Sequence, residues 1–231
     1  MNQNPEIMNK KSDNTLIISY LTLRRSIGWL GILLPFFLML YCFAVCRCST
    51  VQDSISQYYH TFSGDMFVGI LCAIAVFLFS YNGYETKDSV VCKIAALFAI
   101  GVIAFPTLPE SASHCYNPST LLFPFSQTMH LIFAALFFFT LAGISIFLFT
   151  MTDQSKMTHR KKVRNRIYYI CGIVMIICLA LIAIYWLFIQ KKYPEVENLR
   201  PVFWLETIAL IAFGVSWLTK GEMIYRDVEE A

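Results

Sequence analysis

Charge is what this sequence has least of. Asp, Glu, Lys and Arg make up 14% of its 231 residues, against about a quarter in a soluble domain. Long stretches carry no charge at all, and the charged residues crowd into the gaps between them. Apolar residues, 57% of the chain, outnumber what one soluble core could hide, so an ordinary water-soluble domain is excluded. A net charge of +3 is too small to point to nucleic acid as a partner. The apolar runs lack the strict alternation of a barrel wall. Paired CxxC motifs of a zinc site are missing, as are low-complexity tracts and any repeat of 20–50 residues by eye. No gap carries a hydrophobic core of its own, so no soluble domain is expected between the runs. The first run is followed by Cys46-Arg47-Cys48 and not by a small-residue cleavage site, so it is expected to stay uncleaved.

What is present is a set of six apolar runs: Ile27–Cys46, Met66–Tyr81, Val90–Phe105, Met129–Phe149, Ile167–Phe188 and Val202–Leu218. A hydrocarbon layer of about 30 Å needs roughly 20 helical residues. The first, fourth and fifth runs meet that length. The second and third need their flanks: Gly64-Asp65 and Asn82–Tyr84 can lengthen the second, and Lys93 can snorkel from the third. The side that holds the N-terminus, the even-numbered loops and the C-terminus carries fourteen Lys and Arg residues, and the other side four. Positive charge collects on the cytoplasmic side. The expected fold is therefore all-α, a six-transmembrane-helix bundle with N-terminus and C-terminus cytoplasmic. Residues 1–24 form the N-terminal tail, 25–220 the membrane domain and 221–231 the C-terminal tail. Leu16, Ile17, Tyr20, Leu21 and Leu23 suit a short helix on the inner membrane surface. Gly69, Gly101, Gly143 and Gly172 are candidates for close helix approach, and Gly83 for the freedom of an inner turn at Tyr81–Tyr84. On the outer side, Cys115 could pair with Cys46 or Cys48 in an oxidising compartment.

Polar residues kept inside apolar runs are the candidates for function, because a charge near the bilayer centre costs at least ~2.5–3.5 kcal/mol. Asp65 begins the second span at its outer end, His130 lies about one turn into the fourth, and Glu206 about one turn into the sixth. The loop Asp53–Thr61 leads in from the same side with Ser54, Ser56, Tyr58, Tyr59 and His60, and Pro106-Thr107 closes the third span there. Two acids and an imidazole at one depth suit general-base catalysis by Asp65, His130 and Glu206. They suit equally a divalent cation or a protonation switch. Ser54, Ser56, Tyr58, Tyr59, His60 and Thr107 would then line a ligand pocket. The structural alternative has Asp65 as a helix N-cap, favoured there by the helix dipole, His130 bonded to a loop, and Glu206 at headgroup level beside Arg200. No cofactor or metal follows from the residues alone.

Ser54-Ile55-Ser56 before the second span, Phe105-Pro106-Thr107 closing the third and His130 opening the fourth resemble the bacterial membrane family catalogued as domain of unknown function 998. The alanine- and phenylalanine-rich stretch after His130 fits as well, and the resemblance spans roughly residues 25–220. That family is similar in general layout to the Frag1/DRAM/Sfk1 membrane proteins. The resemblance implies a multi-span protein of a bacterial inner (plasma) membrane and no particular activity. A more distant similarity is to the alkaline ceramidases and progestin/adiponectin-type receptors, with their serine, aspartate and three histidines around zinc. Six spans, no late histidine pair and an outward-facing cluster separate this chain from them. The expected function is binding of a lipid or small ligand through an outward-facing polar pocket, with the bilayer itself as partner. The alternative is a membrane-embedded lipid hydrolase using the His/Asp/Glu cluster, with or without a metal. A small transporter ranks third, since transport sites usually lie near the midplane.

Overall fold

The computed structural model describes residues 5–45, 50–83, 86–109, 124–151 and 158–225, with side chains from Tyr20 onward. Among these residues the chain is all-helical and holds no strand. Six α-helices follow in order: α1 (Pro5–Ala44), α2 (Gly64–Ser80), α3 (Thr86–Ala104), α4 (Ser126–Gly143), α5 (His159–Ile184) and α6 (Pro201–Lys220). α4 runs on through a π-helical turn, Ile144–Leu148, and α5 through another, Tyr185–Ile189. Among the described residues four helices are long and apolar enough to cross a membrane: Tyr20–Ala44 of α1, Ser126–Leu148, His159–Ile189 and α6. α2 is apolar but has only 17 residues. α3 has 19 and carries Lys87, Asp88 and Lys93 near its start.

The flanks behave differently from one another. Gly64-Asp65 does lengthen α2, but Asn82 and Gly83 do not, because the backbone turns extended at Tyr81, and Tyr84 lies outside the described residues. Gly83 owes its place to crowding and not to backbone freedom. No described glycine has a positive φ, and a Cβ there would lie 2.1 Å from Asp88 Cβ. The expected surface helix over residues 16–23 is not a separate element, since α1 runs without a break from Pro5 to Ala44. Cys46, Cys48 and Cys115, and with them the expected disulfide, lie outside the described residues.

Helix α6 is the centre of the bundle. Of its spanning window 67% is buried, against 28–39% for the other three spanning helices. Outward faces elsewhere are apolar: Phe36, Leu40, Phe79, Leu97, Ile100, Phe139 and Ile177 are all exposed. A patch of that extent is unusual on a soluble monomer and normal on helices that meet lipid. α1 lies against α6 through two glycines. A Cβ on Gly28 would come 2.8 Å from the Gly214 carbonyl oxygen, and one on Gly214 would come 2.5 Å from the Gly28 oxygen.

The helices alternate in direction, so the bundle has two ends. At the basic end, Trp217 is fully buried among the rings of Tyr81, Phe149 and Phe213. Arg25 Nε donates to the Gly221 carbonyl at 2.8 Å, and Lys161 Nζ to that of Phe149 at 3.0 Å. α4 and α5 are tied there as well. Ser145 Oγ donates to the Tyr168 carbonyl, Asn165 Nδ2 to that of Thr150, and Gly172 packs beneath Ile146. The opposite, histidine end gathers the turn Ser56–His60, the end of α3 and the starts of α4 and α6.

Candidate functional site

Prolines shape the histidine end. In an α-helix the carbonyl of residue i accepts from the N–H of residue i+4. For Val102 and Phe105 those residues are Pro106 and Pro109, which have no N–H to give. Two carbonyls at the end of α3 are thereby left for a side chain, and His130 answers both. Its Nδ1 stands 2.8 Å from the Phe105 oxygen and 3.2 Å from that of Val102. The pattern continues along the irregular exit from α3. Ser126 Oγ donates to the Pro106 carbonyl, His60 Nε2 to that of Thr107 at 2.6 Å, and Gln57 Nε2 to that of Leu108 at 2.9 Å. Gln127 Oε1 accepts from the Leu108 N–H at 2.6 Å. Four successive carbonyls are each held by a different side chain, so this segment has one conformation to adopt.

The tautomer of His130 follows. Carbonyl oxygens only accept, so Nδ1 carries the proton, and in the neutral imidazole Nε2 is left as an acceptor. The atom facing Nε2 is Ser56 Oγ, at 2.9 Å, and it must donate. Ser56 and His130 are both buried, at 8% and 3% exposure.

The segment bearing Ser56 is latched to the first turns of α6 by three links. Asp53 is ion-paired with Arg200, the Phe203 N–H donates to the Asp53 carbonyl at 3.0 Å, and the Ile55 N–H donates to Glu206 Oε2 at 2.6 Å. Arg200 itself is held at φ 50°, ψ 52°, a left-handed conformation that costs a non-glycine residue about 1–2 kcal/mol. Pro201 follows at the first position of α6, where its missing N–H is not needed. Within the Ser56 turn, Ser54 Oγ accepts from the Gln57 N–H, and Thr61 Oγ1 donates to the Tyr58 carbonyl.

A cavity of about 820 Å³ opens beside these residues. Its polar end is lined by Ser54, Ser56, Gln57, Thr107, Gln127, His130, Arg200 and Glu206. Its flank is apolar, with Leu131, Ala134, Ala135 and Phe138 from α4 and Ile176, Leu179, Ala180 and Ala183 from α5. Phe139, Ile176, Trp186 and Leu187 line the cavity and are also exposed on the outside of the bundle. The cavity therefore opens sideways, between the far halves of α4 and α5, as well as towards the end. Thr107 Oγ1 is buried on its wall with no hydrogen-bond partner among the described residues.

Of the residues expected from sequence, His130, Glu206, Ser54, Ser56 and Thr107 line this one cavity. His60 is buried behind it on the Thr107 carbonyl. Tyr58 is buried against Phe203, and burial raises its phenol well above the usual range, so it packs as a neutral ring. Tyr59 is half-buried, against His60 and Phe67. Asp65 is exposed on the first turn of α2, one residue inside a helix whose N-cap is Ser63 and so not itself the cap, and is not among the lining residues. Among the described residues no three His, Cys, Asp or Glu side chains are grouped to hold a metal. Gln57, Ser126 and Gln127 were not singled out by sequence. The one trace they leave is polarity beside the proline segment they bind.

His60 gives the site a pH dependence. Burial holds its imidazole below the usual histidine range, partly offset by the Thr107 carbonyl. A group whose pKa is lowered on folding binds fewer protons native than unfolded. Its stabilising contribution is full above the unfolded value of about 6.5 and falls as pH drops below it. The thermal midpoint should fall between about pH 7 and about pH 5, and His60→Gln should flatten that fall. An unchanged slope in His60→Gln would place the acid sensitivity elsewhere.

Comparison with family models, with curated proteins and with solved structures returns no match to this chain.

Proposed function

We propose that this chain is a six-span membrane protein that binds a membrane lipid in the cavity between α4, α5 and α6. In this proposal both termini are cytoplasmic, the histidine end faces the exterior, and the bilayer is that of a bacterial inner membrane. α2 and α3 supply the fifth and sixth spans beside the four long apolar helices. The observation that carries the proposal is the shape and chemistry of the cavity. At about 820 Å³ it lies in the range of ligand sites. It joins a polar end of serines, glutamines, His130 and Arg200 to an apolar flank that opens on the lipid-facing side. An amphiphile matches both parts, and a wholly polar solute would leave the flank unused. The segments that carry the resemblance to the domain of unknown function 998 family, around Ser56, Phe105 and His130, are hydrogen-bonded to one another here. Membership of that family is part of the proposal.

The test is photo-crosslinking in vesicles with a phospholipid bearing a diazirine on its acyl chain. Adducts should concentrate on residues 131–139 and 176–187, and Ala180→Phe, which fills the flank, should deplete them at unchanged protein level. Labelling spread evenly over exposed faces such as Phe79 and Leu97 would remove the proposal. Reporter fusions after Lys220 and after Glu197 should read cytoplasm and exterior respectively. The reverse result would invert the orientation.

A further inference from the structure

We propose that Ser56 and His130 form a nucleophile–base pair that cleaves an acyl ester of the lipid held in the cavity. This inference rests on the lipid-binding proposal and adds a reaction to it. Three observations converge. The Ser56 Oγ–H donates to His130 Nε2 at 2.9 Å, within the reach required of a general base. The imidazole is oriented from behind, with Nδ1–H on the Phe105 and Val102 carbonyls, so the basic nitrogen can only be the one facing Ser56. Both side chains are buried but line the cavity where its polar end meets its apolar flank.

That junction is where an ester would lie. His130 is the fifth residue of α4, about 6 Å along the axis from the helix start at 1.5 Å per residue. An acyl chain in the flank between Ala134 and Ala180 would place its carboxyl carbon beside the polar end, near Ser56. Thr107 supplies a hydroxyl that is 5% exposed, lines the same cavity and has no hydrogen-bond partner among the described residues. It is the donor for the oxyanion. Glu206, which accepts the Ile55 N–H at 2.6 Å and also the Ser56 N–H, is a positioning residue: it fixes the backbone that carries Ser56 and acts through it.

The reaction balances without a redox partner. Ser56 Oγ attacks the ester carbonyl carbon and its proton passes to His130 Nε2. The carbon–oxygen bond to the lipid alcohol breaks, and that alcohol leaves with the proton from His130. Water entering at the polar end then attacks the acyl-Ser56 ester, again giving its proton to Nε2. Carboxylic acid is released and the Ser56 hydroxyl is restored. The net change is ester plus water to acid plus alcohol. The positive imidazole formed midway meets two carbonyl dipoles and, among the described residues, no carboxylate partner, so turnover should be slower than in a triad with an acid behind the histidine.

The experiment uses the full chain in vesicles of phosphatidylglycerol with a radiolabelled acyl chain, together with an alkyl fluorophosphonate as a covalent probe. Wild type should release labelled fatty acid and carry the phosphonate on Ser56. Ser56→Ala should do neither, His130→Gln should lose at least ~100-fold in both rates, and Thr107→Val should lose fatty-acid release at an unchanged thermal midpoint. Ser56→Cys keeps the link to His130 if the alanine variant fails to fold. It should exchange phosphonate labelling for rapid alkylation by iodoacetamide, which His130→Gln in the same background suppresses. Wild type that takes the diazirine lipid into the flank, yet gives no Ser56 adduct and no fatty acid, overturns the esterase and leaves lipid binding intact. A cavity that takes no lipid overturns both. Fatty-acid release that survives in Ser56→Ala overturns the assignment of the nucleophile.

Discussion

Gly214→Val is expected to lower the thermal midpoint of the purified protein by roughly 6–12 °C. The added side chain would point at α1, where even its Cβ would stand 2.4 Å from Ile32 Cγ1 and 2.5 Å from the Gly28 oxygen. A flexible side chain could swing away, but a carbonyl moves only with its helix. Overpacking a well-filled core typically costs about 1–3 kcal/mol, and a backbone obstacle puts this case near or above the top of that range. For a chain of this size each kcal/mol is worth about 2–4 °C. Because α6 is the most buried spanning helix, displacing it disturbs most of the bundle. Gly69→Ala and Gly143→Ala are the controls, since nothing lies within 4 Å of a Cβ at either position. Relief of the glycine penalty in a helix should make those two neutral or slightly stabilising. If Gly214→Ala proves as harmless as Gly143→Ala, the close approach of α1 and α6 is wrong.

His130→Ala should destabilise by about 2–4 kcal/mol, from lost packing together with carbonyls left without a donor. The instructive comparison is with Pro106→Ala, which restores the N–H that a continuing helix would offer the Val102 carbonyl. In that background His130→Ala should cost less, with a coupling of about 0.5–1.5 kcal/mol between the two sites. Thermal or denaturant midpoints of the four proteins in one detergent measure the cycle. Additive effects would mean that the histidine does not stand in for the missing backbone donor.

Much of the fold was legible because lipid leaves the backbone few choices. A run such as Met129–Phe149, with no charge in it, has to be a helix, and α4 with its π-helical turn covers Ser126–Leu148. The equal depth of His130 and Glu206, one turn into their helices, was also legible, and both reach the same cavity. Asp65 shows where this kind of inference stops. Gly64 packs on the Tyr59 carbonyl, where a Cβ would stand 2.4 Å away, and the next residue, about 100° further around the helix, turns outward. Depth can be counted along a sequence, whereas facing depends on which neighbour the helix chooses. The glycines repeat the lesson. Gly101 and Gly172 are crowded, by Phe133 and Ile146, but Gly69 and Gly143 meet nothing. Among the described glycines, the tightest backbone approach between two helices joins Gly28 to Gly214, on helices at opposite ends of the chain, and no local spacing reveals such a pair. The bond between Ser56 and His130 escaped for the same reason, although both residues were recognised separately.

The splay of α4 and α5 has a consequence for what the cavity can discriminate. The two helices are fastened at the basic end and part towards the histidine end, so under the proposed orientation the opening faces a single leaflet. A ligand arriving there does not come from dilute solution, because in that leaflet it is the solvent. Tight affinity would be superfluous under such conditions, since mass action alone keeps the groove filled. Selectivity would then be a contest of mole fractions, decided by which headgroup best suits the serines and glutamines at the polar end. Extraction into detergent would replace that solvent with another amphiphile, so under this proposal the occupant most easily lost on purification would be the native one.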